Sequence, residues 1–111
     1  MRNPKAVLLM ALAAAPLGVN AQDLAHGKAV YDLWCAPCHA PGRKHPGTQA
    51  LDIVYKGEKL GSLEQRLDLT PELVATFVRT GVSIMPFFRK TEISDTDLAD
   101  LGAWLSKPLE R

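Results

Sequence analysis

The stretch that decides the fold is WCAPCH, residues 34–39, in which two cysteines stand three positions apart and a histidine follows the second at once. A redox dithiol of the thioredoxin type belongs to a βαβ setting, whereas this motif follows a predicted helix. A structural zinc site needs four ligands in a closed shell, and the adjacent Cys38 and His39 do not have a zinc-ribbon spacing. A plain disulfide between Cys35 and Cys38 would leave His39 without a role.

A fourth interpretation gives every residue of the motif a task. The pattern C-x-x-C-H is the attachment signature of c-type haem. The two thiols add across the two vinyl groups of the porphyrin, and the histidine that follows then lies over the ring and binds iron axially. We therefore predict one covalent haem c, attached through Cys35 and Cys38, with His39 as an axial ligand.

The opposite face of the iron needs a second ligand, and the best candidate is Met85 in VSIMPFF, residues 82–88. A methionine–histidine pair favours ferrous iron and raises the potential. Met85 as a core gap-filler is the alternative. His26 and His45 are expected to be surface residues. A displaceable Met85 would instead favour a catalytic or sensory haem protein.

The amino-terminal segment 1–21 reads as a secretory signal peptide. Arg2 and Lys5 precede an uncharged apolar run of residues 6–19, and small residues stand before a cleavage point after Ala21. The run is shorter than a membrane-spanning helix requires. The sequence thus predicts an exported, periplasmic domain of residues 22–111 without a membrane span. The formal net charge of the whole 111-residue chain is +1, which gives no basis for predicting nucleic-acid binding.

The first of three predicted helices spans residues 24–34, with Asp23 as its N-cap. Leu24, Gly27, Tyr31 and Trp34 recur at helical spacing and share one face. Glycine is unfavourable inside a helix, so Gly27 indicates close approach of a second helix.

Two further helices are predicted in the carboxyl-terminal half. One opens at TPEL, capped by Thr70, and stops at Gly81. The other opens at SDTD, where Ser94 and Asp97 resemble a capping box, and Pro108 limits its length. Between residues 40 and 69 the pattern is weak: APGRKHPGTQ reads as a loop, ALDIVYKG as a short strand or ordered loop, and SLEQR as one helical turn.

With these motifs in hand, the chain resembles a class I cytochrome c. The resemblance covers residues 22–111 and rests on CAPCH, the Met-Pro loop, Gly27–Tyr31 and Leu101–Trp104. It implies a small all-α fold of three main helices around one haem, with crossing terminal helices. In the family a proline carbonyl holds the axial histidine; Pro46 is the match here, although HPG inverts the usual Gly-Pro order.

A narrower resemblance concerns residues 79–105, RTGVSIMPFFRKTEISDTDLADLGAWL, and most of it lies in MPFFRKTE, residues 85–92. It is similar to the small cytochrome subunits that partner flavin-dependent phenol oxidoreductases of the p-cresol methylhydroxylase and eugenol hydroxylase types. That resemblance implies an electron carrier, not an enzyme in itself, which is reduced by a flavoprotein and passes the electrons to the respiratory chain. A stand-alone soluble cytochrome is the alternative.

Two groups of residues are expected near the haem. We predict that Phe88 is exposed beside Met85 and docks a partner, with Arg89 and Lys90 at the rim. The haem wall is predicted to comprise Leu51, Ile53, Val54, Leu60, Leu67, Leu69, Phe77, Val78, Ile84 and Phe87.

Overall fold

The computed structural model describes residue 14 and residues 21–107. The predicted signal peptide lies almost entirely outside these residues. Five α-helices follow one another: α1 (Leu24–Trp34), α2 (Ala36–His39), α3 (Pro46–Tyr55), α4 (Pro71–Thr80) and α5 (Asp95–Leu105). The described residues form no β-strand, and the predicted all-α fold is confirmed. None of the described helices is long and apolar enough to cross a bilayer.

The crossing of α1 and α5 is the principal contact of the fold. A methyl group at Gly27 would lie 2.2 Å from the carbonyl oxygen of Asp100, so the two backbones touch there. One turn along, the rings of Tyr31 and Trp104 pack with centroids 4.8 Å apart. Leu101 is completely buried at the same contact. The predicted helix crossing and the role of Gly27 are confirmed.

The predicted helix caps are also present. The Asp23 carboxylate accepts from the His26 backbone N–H at 2.9 Å, and the Thr70 hydroxyl oxygen accepts from that of Leu73 at 3.2 Å. At α5, Ser94 and Asp97 form a reciprocal capping box, with bonds of 3.0 and 3.1 Å. These bonds satisfy backbone donors that the helix itself leaves free.

The prediction for residues 40–69 was partly wrong. The helix α3 includes the end of APGRKHPGTQ, which was predicted as a loop, and most of ALDIVYKG, which was predicted as a strand or ordered loop. Pro46 occupies the first turn, where its missing N–H costs nothing, and Lys56 ends the helix in the left-handed conformation at φ 49°. The helix was hidden because Ile53 and Val54 are β-branched neighbours and α3 buries only Thr48. The helical turn in SLEQR is confirmed as a 3₁₀ turn, Leu63–Gln65.

The protein core lies between α1, α4 and α5, and α3 stands outside it. The helices α1, α4 and α5 thus form the packed core, and α3 contributes no apolar residue to it. The buried apolar residues are Val30, Tyr31, Leu69, Val74, Val78, Ile93, Leu98, Leu101, Trp104 and Leu105.

Candidate haem site

The two cysteines and the histidine of WCAPCH lie on one face of a single helical turn. The Cys35 N–H still bonds to the Tyr31 carbonyl at 2.9 Å, so α1 continues almost directly into α2. The His39 N–H in turn donates to the Cys35 carbonyl at 2.9 Å. Residues three and four apart on a helix are neighbours, so Cys35, Cys38 and His39 point to the same side. The two thiols are not bonded to each other.

The electrostatics of this turn suit neutral groups. Burial, with a smaller effect of Cys38, raises the pKa of the Cys35 thiol to about 12. A reactive dithiol requires the opposite, a lowered pKa at an electropositive site. Burial also lowers the pKa of His39, which favours the neutral imidazole that a metal requires. The turn is therefore poorly suited to dithiol exchange and well suited to metal ligation.

The zinc alternative gains no support from the arrangement of potential ligands. Within the described residues, no three His, Cys, Asp or Glu side chains come together as a metal-binding group. The His26 Nε2 lies 2.7 Å from Asp97 on an exposed surface. The half-buried His45 directs Nδ1 to the Pro37 carbonyl oxygen, 3.1 Å away. Both histidines are thus engaged away from a shared site.

The surroundings of His39 differ from the expectation for Pro46. The His39 Nδ1 is buried and has no hydrogen-bond partner among the described residues, so the predicted bond to the Pro46 carbonyl is absent. Pro46 lies instead in the first turn of α3. The residue that meets the imidazole is Gly47, where an added Cβ would lie 2.7 Å from the His39 Cε1.

Met85 lies in a loop that backbone contacts hold closed. Val82 and Met85 exchange two backbone hydrogen bonds, of 3.1 and 2.9 Å, around Ser83 at φ 54°. Gly81 starts the loop at φ 65° and ψ 174°, a region open almost only to glycine. A Cβ at Gly81 would lie 2.7 Å from the Met85 carbonyl oxygen. The half-buried Met85 side chain is therefore presented by a defined backbone.

Large apolar side chains are exposed on α3, α4 and the segments around them. Such surface on a small domain indicates something that covers it. These residues, 40–87% exposed, are Ile53, Val54, Leu60, Leu67, Phe77, Val82, Ile84 and Phe87.

Comparison with known proteins decides the family. The family described as "Cytochrome C oxidase, cbb3-type, subunit III" matches residues 22–105. A cytochrome c6 of Cyanidioschyzon merolae is 33% identical over 87 residues, which cover 78% of this chain and 76% of the relative. A cytochrome c6 of Synechocystis sp. is 33% identical over 91 residues, covering 82% of this chain and 70% of the relative.

This chain belongs to the cytochrome c family. The class I resemblance is supported, and the cytochrome carries one covalently bound haem c with an electron-transfer role. No solved structure matches it significantly.

The residues present fit a haem. Free thiols at Cys35 and Cys38 stand beside a neutral imidazole on one face. Apart from Phe87, most of the predicted haem wall is exposed in the way expected of a surface that a large apolar group covers. Leu69 and Val78 belong instead to the protein core. The fit thus rests on both donor chemistry and apolar surface.

The prediction that Phe88 of the cytochrome is exposed beside Met85 was wrong. Phe88 is the inward residue: its N–H donates to the Val78 carbonyl at 2.7 Å, and its ring meets the edge of Trp34 with centroids 5.7 Å apart. Phe87 is 54% exposed, with the Arg89 guanidinium 6.0 Å from its ring. Of the two phenylalanines, Phe88 therefore packs against the protein core and Phe87 faces outward.

Sequence reasoning missed two glycines that shape the site. Gly47 appeared only as part of a loop, although HPG places a proline suited to a first helical turn next to a residue without a side chain. Gly81 was predicted as a helix stop, and its contact with the Met85 backbone was not foreseen. The sequence feature that could have indicated this contact is the position of Gly81, four residues before Met85.

Proposed function

We propose that this cytochrome is a periplasmic electron carrier whose haem is joined to Cys35 and Cys38 and whose iron is bound by His39 and Met85. The observation that carries the proposal is the helical turn that puts two unpaired thiols and a neutral imidazole on one face. The closed loop around Met85 supports the second axial ligand. If His39 and Met85 both held the iron, no coordination position would be left for a substrate, which fits a carrier and not an enzyme.

The haem supplies a one-electron couple between ferric and ferrous iron. The protein's residues supply its environment. Thioether bonds at Cys35 and Cys38 keep the attachment uncharged, and neutral His39 adds no charge either. The exposed apolar side chains of α3 and the Met85 loop would exclude water from the ring. A dry, weakly charged site favours the less charged ferrous state and thus a raised potential.

The site of action proposed is the periplasm. The support is the segment 1–21, with its short basic start and uncharged apolar run. Export also matches the motif, because free dithiols tend to oxidise outside the cytoplasm whereas thioethers do not.

The electron donor proposed is a flavin-dependent dehydrogenase that oxidises phenols. The similarity of MPFFRKTE to the cytochrome subunits of such enzymes supports this assignment. On this loop the exposed Phe87 and Arg89 form the proposed docking surface, in place of the inward-facing Phe88. Lys90 lies at the rim, 2.9 Å from Asp95. The named cytochrome c6 relatives favour the alternative of a stand-alone carrier.

The donor is tested by purifying the haem-loaded protein from its native host and identifying any flavoprotein bound to it. Reduction by that flavoprotein is then followed at the haem bands after its phenol is added. We expect Phe87→Ala to slow reduction, whereas Lys28→Ala on α1 leaves the rate unchanged. A haem protein that binds no flavoprotein and is reduced equally by unrelated donors would support the stand-alone carrier instead.

A further inference from the structure

His39 has a buried nitrogen for which the proposed function gives no use. Its Nδ1 has no hydrogen-bond partner among the described residues and is shielded from solvent. A buried polar group without a partner costs free energy, and a redox role is one of the reasons a protein retains one. Two questions follow: what holds the imidazole of His39 in place, and how the unpaired Nδ1 affects the haem.

The first turn of α3 rests directly on the imidazole. A Cβ built on Gly47 would lie 2.7 Å from the His39 Cε1, 2.9 Å from its Nδ1 and 2.7 Å from the Cys38 carbonyl oxygen. Real Cβ atoms do not approach so closely, so only glycine allows this contact. The edge of the ring formed by Cε1 and Nδ1 is thus confined by main chain.

Independent contacts fix the position of Gly47. The Thr48 hydroxyl donates to the Ala40 carbonyl at 2.8 Å and ties α3 to the end of α2. A Cβ at Gly61 would lie 2.3 Å from the Thr48 carbonyl oxygen, so the 60–62 segment closes over the same turn. The His39 N–H is itself held by the Cys35 carbonyl. The imidazole and the glycine therefore cannot easily move apart.

We infer that Gly47 positions His39 by backbone contact and leaves Nδ1–H without an acceptor, so that His39 is a weak axial donor and the haem potential is raised. This inference rests on the proposed axial role of His39. A hydrogen bond from the second nitrogen of a ligating histidine increases its basicity and fixes its orientation. Here packing against Gly47 fixes the orientation of the His39 imidazole, and no hydrogen bond from Nδ1–H increases the basicity of the ring. A weaker donor stabilises ferric iron less.

The test compares two haem-loaded variants that share the same added Cβ. Gly47→Ala crowds the ring without an acceptor, whereas Gly47→Ser adds a hydroxyl oxygen next to Nδ1. We expect both to change the pattern of haem methyl shifts in the NMR spectrum of the ferric protein, which reports the orientation of the imidazole plane. We expect the serine variant to have a lower midpoint potential than the alanine variant.

Gly102→Ala is the matched control. It adds a Cβ 3.0 Å from the Pro71 Cα at the α4–α5 contact, away from His39. It should lower the Tm but leave the haem methyl pattern and the potential unchanged. If Gly47→Ala instead left that pattern and the potential at wild-type values, the positioning role would be refuted. Equal potentials for the serine and alanine variants would refute the effect of the missing acceptor.

A measurement on the unmodified protein covers the case in which the variants do not fold. In the ferrous wild type, the Nδ1–H proton should resonate at the position of an imidazole N–H without an acceptor. A shift typical of a strong hydrogen bond would overturn the inference. Wild-type protein that lacks covalent haem or methionine ligation would contradict the proposed function as well, whereas an intact spectrum with a hydrogen-bonded Nδ1–H contradicts only the inference.

Discussion

At the residue scale, glycines decide where the main chain can come close. Gly27 lets α1 touch the backbone of α5, and Gly47 lets α3 touch the imidazole of His39. Both glycines lie in helices with ordinary backbone angles. What matters at each position is therefore the absence of a side chain, and not the wider range of φ that glycine can adopt. The sequence revealed the first because Gly27 interrupts a clear apolar stripe. It did not reveal the second because α3 has no such stripe.

Gly27→Ala should destabilise the haem-loaded protein, although alanine is the better helix former. The added methyl would lie 2.2 Å from the Asp100 carbonyl oxygen, and α1 would have to move. Overpacking of this kind costs about 1–3 kcal/mol. Because the clash is with main chain, we expect a cost in the upper part of that range, above the roughly 1 kcal/mol gained in helix propensity. Urea unfolding followed by far-UV circular dichroism measures the net change.

The control for this variant is Ala29→Ser, at an exposed position of the same helix. Its effect on the free energy of unfolding should stay within about 0.5 kcal/mol. A Gly27→Ala protein as stable as the wild type would show that the two helices do not touch at this point.

At the scale of elements, the ends of α1 and α5 are joined by a titratable pair. The hydrogen bond to the Asp97 carboxylate raises the pKa of His26, and the same bond lowers the pKa of Asp97. Asp23 and Asp100 also face His26 and act in the same direction. The pair is exposed to solvent, so its effect on stability is small and depends on salt.

The pH dependence of this pair has a definite sign. The stability from His26 is complete below its ordinary pKa of 6.5 and is lost as pH rises through the raised value in the folded state. The stability contributed by Asp97 is present above its ordinary pKa of 3.8 and is lost as the pH falls through its lowered pKa in the folded state. The Tm difference between wild type and His26→Gln should therefore be largest near about pH 5 and shrink in alkaline solution.

Lys28→Gln is a suitable comparison, because it removes an ion pair on α1 that contains no histidine. Its effect on the Tm should vary little between about pH 5 and pH 8. A His26→Gln difference that grew with rising pH would contradict the raised pKa of His26 in the folded protein.

The loop from Gly81 to Met85 is the second element with a testable geometry. Gly81→Ala combines a backbone conformation unfavourable by about 1–3 kcal/mol with a Cβ 2.7 Å from the Met85 carbonyl oxygen. We expect the variant to keep its haem but to lose part of its methionine ligation, seen as a weaker red absorption band of the ferric protein. Gly57→Ala is the control, since Gly57 also has positive φ, at 88°, but no neighbouring atom within 4 Å. It should lose stability and keep the band.

At the scale of the whole molecule, α1 and α5 belong to the protein core, α3 belongs to the haem surface, and α4 contributes to both. The core joins α1, α4 and α5, whereas α3 buries only Thr48. This division explains what the sequence could predict. The three helices of the core follow from capping residues and periodic apolar faces. The helix α3 could not be found in this way, because its apolar residues, Ile53 and Val54 among them, are exposed in the folded chain.

The same division predicts which part of the fold depends on the haem. In a Cys35→Ala/Cys38→Ala protein without haem, the amides of α3 should exchange with solvent rapidly, because little protein surface packs on that helix. The amides of α1 and α5 should remain the best protected. Hydrogen exchange by NMR or mass spectrometry distinguishes the two sets. Equal protection of α3 and α5 would contradict a haem-dependent α3.

The proposed pair of axial ligands is tested most directly by the visible absorption spectrum of the ferric, haem-loaded protein, recorded for the wild type and for Met85→Ala. Ligation by a methionine thioether gives a weak band at the red end of the visible spectrum. We expect this band in the wild type and its loss in Met85→Ala, which should then bind carbon monoxide readily when reduced. A wild type without the band, or a Met85→Ala variant that retains it, would contradict ligation of the haem iron by Met85.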